Sequence, residues 1–150
     1  MGLDFEQLAF IEKWRTRASR GVVVALDGRR GDILLTVRVG DLGDRLDLRG
    51  RDATGAIRKS RLTIGDRVTI AIEYSAKDAV PGSGSASVSG GVVVAGAAVE
   101  GTVASTGEIA VVQCGADVLV RGDTLTGFAA GDAVRFTVAE EGKAYLIPTR

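Results

Sequence analysis

The chain has 150 residues, 45% of them apolar, with 19 basic residues, 19 acidic residues, no histidine and one cysteine. That length suits one domain or two small ones, and the missing histidine removes the commonest general base and the commonest metal ligand; Cys114 alone excludes an intrachain disulfide and any zinc-ligand spacing. Net charge is zero but uneven: residues 1–80 hold 15 Lys/Arg against 12 Asp/Glu and residues 81–150 hold 4 against 7, so attraction to a polyanion must come from the first half.

The first predicted element is an N-terminal helix within residues 1–19. Asp4 and Gln7 fit a capping-box start, and Leu3, Phe10, Ile11 and Trp14 fall on one side at helical spacing. Such a stripe packs on the domain that follows or docks a partner, and Phe10 and Trp14 are the candidates for docking. The start MGLDFEQLAF lacks the basic lead of a signal peptide, and no apolar run reaches membrane-span length. A cytoplasmic protein without membrane contact is expected.

After Gly21 the period changes and two stretches of the chain align in four blocks. Arg20-Gly21-Val22-Val23-Val24-Ala25 matches Glu100-Gly101-Thr102-Val103-Ala104-Ser105, and Gly31-Asp32-Ile33-Leu34-Leu35 matches Gly107-Glu108-Ile109-Ala110-Val111. Leu48-Arg49-Gly50 with Thr54-Gly55 matches Val120-Arg121-Gly122 with Thr126-Gly127, and Gly65-Asp66-Arg67-Val68-Thr69-Ile70-Ala71-Ile72 matches Gly131-Asp132-Ala133-Val134-Arg135-Phe136-Thr137-Val138. Four blocks in one order mark an internal duplication. Between Gly55 and Gly65 the first copy has nine residues, Ala56 to Ile64, where the second has only three, Phe128 to Ala130. A loop needed only for closure could be that short, which points to a function for Arg58-Lys59-Ser60-Arg61. Between the copies, Pro81-Gly82-Ser83-Gly84-Ser85 reads as a flexible tip.

Each copy offers about five short strands joined by glycine turns, which a small Greek-key barrel of the OB type fits. The expected architecture is mainly β: a helix over 1–19, a first OB-like barrel over 20–75, a Gly/Ser linker or long hairpin over 76–98, and a second OB-like barrel over 99–150. The segment Gly55-Ala56-Ile57-Arg58-Lys59-Ser60, followed by Gly65-Asp66-Arg67-Val68, resembles the OB domain of bacterial translation initiation factor 1 and of ribosome-associated GTPases. The run Gly131-Asp132-Ala133-Val134-Arg135-Phe136-Thr137-Val138 is similar to the C-terminal half of cold-shock domains, although the aromatics on which those domains stack bases are missing. The TOBE or molybdate-binding type of small barrel has a similar closing turn and suits a tandem pair.

These resemblances imply binding rather than catalysis. Gly28-Arg29-Arg30-Gly31-Asp32 lacks the Gly-Lys-Ser/Thr ending of a phosphate loop, and Cys114 sits in an apolar strand where it reads as buried and inert. No enzymatic activity, cofactor or metal is expected. The basic residues Arg38, Arg45, Arg49, Arg51, Arg58, Lys59 and Arg61 are the candidate nucleic-acid contacts. With so few aromatics, they suit docking on structured RNA or the ribosome better than gripping a free strand. The alternative is a structural or assembly barrel acting through protein partners or as a homo-oligomer. A third reading is small-oxyanion binding between the barrels.

Overall fold

The structure, a computed structural model, describes residues 18–29, 32–39, 46–53 and 55–147. The predicted helix with Phe10 and Trp14 falls outside these residues, as does Arg45. The first copy contributes β1 (Ser19–Arg29), β2 (Asp32–Val39), β3 (Leu46–Asp52), a five-residue helix α1 (Ala56–Ser60) and β4 (Arg67–Tyr74). Next come β5 (Ala76–Pro81), β6 (Ser87–Val88) and β7 (Val92–Val93). The second copy supplies β8 (Ala98–Ser105), β9 (Ile109–Gln113), β10 (Asp117–Arg121), β11 (Ala133–Val138) and β12 (Gly142–Leu146).

The first barrel is closed. Its ring runs β1-β2-β3-β12-β4, and β4 pairs back onto β1 from Ser19↔Ile70 to Val22↔Arg67. The second runs β10-β9-β8-β11-β5. Its ring is completed where β10 meets the end of β4 in parallel, Leu119↔Glu73 and Val120↔Tyr74. The strands that complete each barrel therefore come from the other half of the chain. β4 leaves the first barrel through Ser75 and continues as β5 against β11, while β12 inserts between β3 and β4. The segment 76–98 thus holds three strands, with β6 on β8 and β7 on β3.

The apolar alternation of the sequence builds one core through both barrels, from Val23, Leu35, Val37 and Ile70 to Val99, Val112, Val134 and Phe136. A smaller cluster of Ala71, Ile109, Val111, Leu119 and Ile147 buries the opposite faces of β4, β9 and β10. This explains why β9 and β10 read as continuous apolar runs: strands covered on both sides need no polar alternation.

The nine residues beyond Gly55 correct the expectation that they are superfluous to closure. They form α1, whose Ile57 is 2% exposed in the core. Asp52 accepts from the N–H groups of Gly55 (3.1 Å), Ile57 (3.3 Å) and Arg58 (3.1 Å), satisfying donors that a short helix leaves open. Arg61, in the left-handed region at φ 54°, ends the helix. The segment is a plug, with Arg58 and Lys59 exposed in its last turn.

At the crossing, Gly142 of β12 lies opposite Gly50 of β3. A Cβ on Gly142 would stand 2.6 Å from both Ile72 Cγ2 and Tyr74 Cε1, and one on Gly50 would stand 2.7 Å from Ile72 Cγ2. Two facing glycines are what let β12 and β3 close over these side chains. Gly142→Ala should cost about 1–3 kcal/mol of stability through overpacking, read as a lower midpoint in urea unfolding.

Candidate anion-binding site at the strand crossing

The duplication creates two equivalent crossings with different contents. In the first, Glu141 precedes Gly142, and the parallel register of β12 on β3 sets it beside Arg49. The Arg49 guanidinium forks onto the Glu141 carboxylate, with Nε donating to Oε2 at 3.1 Å and Nη2 donating to Oε1. Both side chains are partly shielded, at 34% and 18% exposure. The Tyr74 hydroxyl donates to the Arg49 carbonyl at 2.8 Å.

The second crossing repeats the backbone and changes the side chains. The block alignment carries Arg49 onto Arg121. Extended past Val138, it carries Glu141 onto Ser75. One step beyond the Val120↔Tyr74 pair, the register sets Arg121 beside Ser75. No carboxylate stands where Glu141 stood. Ser75 is 8% exposed and its Oγ is buried without a hydrogen-bond partner. Arg121 turns outward to Asp123 at 2.8 Å, a pair exposed enough on both sides to be weak.

Glu73, Tyr74, Ser75, Arg121, Glu140, Glu141 and Lys143 line a shallow crevice here. Its free space is ≈ 10 Å³, about that of one water. Glu73 lies cross-strand from Lys143. Burial pushes its carboxyl above the usual carboxylate range; Lys143 and Arg121 pull it down, and Glu108 and Asp123 push it further up. The crevice thus offers a buried hydroxyl, a guanidinium and an ammonium, beside the carboxyls of Glu73, Glu140 and Glu141, the last of them held by Arg49. Among the described residues, no cluster of His, Cys, Asp and Glu could hold a metal ion. Cys114 is buried, and desolvation lifts its thiol to about 11, too high to supply a thiolate near neutrality.

The residues singled out in the sequence are not gathered into this site. Arg38 is paired with Asp47 through two bonds, Nε–Oδ1 at 2.9 Å and Nη2–Oδ2 at 3.2 Å. Arg49 is held by Glu141. Arg51 is exposed on β3, Arg58 and Lys59 on α1, and Arg61 just after it. Ser75, Arg121 and Lys143 were missed by sequence reasoning. The signal lay in the duplication: aligned past Val138, the copies disagree at Ser75 and Glu141 opposite two matching arginines.

No protein-family model matches the chain, and no curated protein matches it. Among solved structures it is similar to the cytoplasmic molybdate-binding protein ModG, in a crystal form with molybdate bound, at 18% identity and a TM-score of 0.47 over 87% of this chain and 95% of that one. The expectation of an RNA-binding, translation-related module docking on RNA or the ribosome is corrected by where its candidate residues sit. The geometry gives the physical reason. Arg38 and Arg49 are already paired with carboxylates, and Tyr74 at the end of β4 is buried and cannot stack a base. The alternative of an assembly barrel acting through protein partners or as a homo-oligomer finds no support either, and its docking candidates Phe10 and Trp14 lie outside the described residues. No helix among the described residues is long and apolar enough to cross a membrane.

A carboxyl with a raised folded-state pKa binds its proton more tightly folded than unfolded. Stability therefore falls as pH rises from the unfolded carboxylate range through the raised value. Glu73→Gln should remove that penalty: its melting temperature should gain on the parent's by a few degrees between pH 3.5 and pH 7, measured by circular dichroism. A constant difference across that range would place the penalty elsewhere.

Proposed function

We propose that the chain is a non-enzymatic binding protein that holds a small oxyanion in the crevice between its barrels. The observation that carries this reading is the buried, unpartnered Ser75 Oγ beside Arg121, in the position where a carboxylate meets Arg49 in the other copy. The chain itself shows the kind of group that fits. A planar guanidinium beside a hydroxyl donor takes two oxygens of a carboxylate or of a tetrahedral oxyanion, and Lys143 adds a point charge from across β4. Three carboxyls also line the crevice: burial raises the pKa of Glu73, Glu141 is held by Arg49, and Glu140 is exposed. A buried donor left unpaired costs about 1–3 kcal/mol, so an anion that accepts from Ser75 recovers stabilisation that the empty crevice lacks.

Retention rather than turnover is the activity proposed, since the crevice holds no histidine or cysteine and no metal-binding cluster is found among the described residues. A cytoplasmic setting is part of the proposal, since a lone thiol stays reduced there. Molybdate, the ligand named for ModG, is a convenient probe.

Isothermal titration should show saturable binding of molybdate or sulfate. Ser75→Ala and Arg121→Gln should each weaken it by roughly tenfold or more, the value of one charge-assisted hydrogen bond. Ser75→Glu should abolish binding and raise the melting temperature, because a tethered carboxylate then occupies Arg121. Absent binding, or affinity indifferent to Ser75 and Arg121, overturns the proposal.

A further inference from the structure

We propose that the open end of the second barrel is a separate pocket for a small, uncharged, mostly apolar molecule carrying a hydroxyl group. The two barrels are finished differently at this end. In the first, Ile57 of α1 fills the opening. In the second, the alignment of Thr126-Gly127 with Thr54-Gly55 puts Ala129 at the position of Ile57, too small to fill the same space. No helix follows Gly127; a short 3-10 turn, Gly122–Thr124, comes before it, Leu125 is buried in the core and Phe128 packs against it. What remains is a cavity of ≈ 240 Å³.

Its floor is Val103 and Ala110, its walls are Leu125 and Phe128, and its rim carries Thr106 and Thr126. No charged side chain lines it. For scale, an apolar protein cavity of about 150 Å³ binds benzene, so a single substituted ring fits here. The polar requirement follows from the rim. Thr126 Oγ1 donates its proton to the Asp123 carbonyl at 3.2 Å, so what it offers the cavity is an acceptor. A ligand hydroxyl satisfies it. A carboxylate is disfavoured twice, by repulsion from that oxygen and by desolvation without a counter-charge.

The pocket is on the second barrel's end, built by β8, β9 and the 3-10 turn, and does not share a residue with the crevice at Ser75. Phenol is the probe. Titrated into ¹⁵N-labelled full chain, it should shift the amides of Thr106, Gly107, Gly122 and Gly127 saturably, in the millimolar range typical of so small a ligand. Ala110→Leu fills the floor, and Thr106→Leu fills the exposed rim without touching the core. Each should abolish these shifts, and benzoate should bind at least tenfold more weakly than phenol. Saturating molybdate and Ser75→Ala should leave phenol binding unchanged. Three results would overturn the pocket: no saturable shifts, shifts that survive Thr106→Leu, or benzoate binding as well as phenol.

Discussion

The fold depends on β4 and β11 running past their own barrels. Each emerges as a strand of the other barrel, so neither ring closes from its own half of the chain. The permission for this is steric. Gly50 and Gly142 face each other where β12 enters, and the space they leave is taken by Ile72 and Tyr74. Tyr74, fully buried, then ties its hydroxyl to the Arg49 carbonyl on β3. The burial that pushes the Tyr74 hydroxyl well above its usual range also keeps it neutral and donating at any physiological pH. Packing, one hydrogen bond and a guanidinium–carboxylate fork thus converge on one crossing.

Duplication followed by divergence accounts for the difference between the two crossings. The two crossings share backbone geometry and an arginine, and they differ in whether the chain supplies the anion. The first is self-satisfied and structural. In the second, Arg121 pairs with the exposed Asp123 and the buried Ser75 hydroxyl is left without a partner, which is a cost. The barrel ends diverge in the opposite sense. There the first copy keeps an added plug, and the second leaves space. Each copy is therefore complete at one place and open at another.

Much of the barrel architecture was legible because short alternating strands and repeated Gly-Asp turns leave a periodic trace. The exchange of strands was not legible. β5 and β12 are short, β5 is largely exposed, and nothing in a period-2 pattern says which barrel a strand joins. Arg58-Lys59-Ser60-Arg61 looked functional because charge is conspicuous, while the residue that explains the insertion is the apolar Ile57 beside it. The site at Ser75 was hidden for the converse reason. A lone serine after a strand carries no signal until its counterpart in the other copy is seen to be a glutamate paired to an arginine.

The placement of β12 also bears on how the protein is made. The first barrel has its β1, β2, β3 and β4 once Tyr74 leaves the ribosome, yet the strand that belongs between β3 and β4 is complete only at Leu146. Until then two sheet edges stand open, and edges of that kind invite pairing with other chains. Cotranslational folding of the first half as a finished unit is ruled out by topology. The long-range pairing of β12 with β3 makes a slow, late-closing step the natural one. An interrupted synthesis would release a chain predisposed to exchange strands with its neighbours.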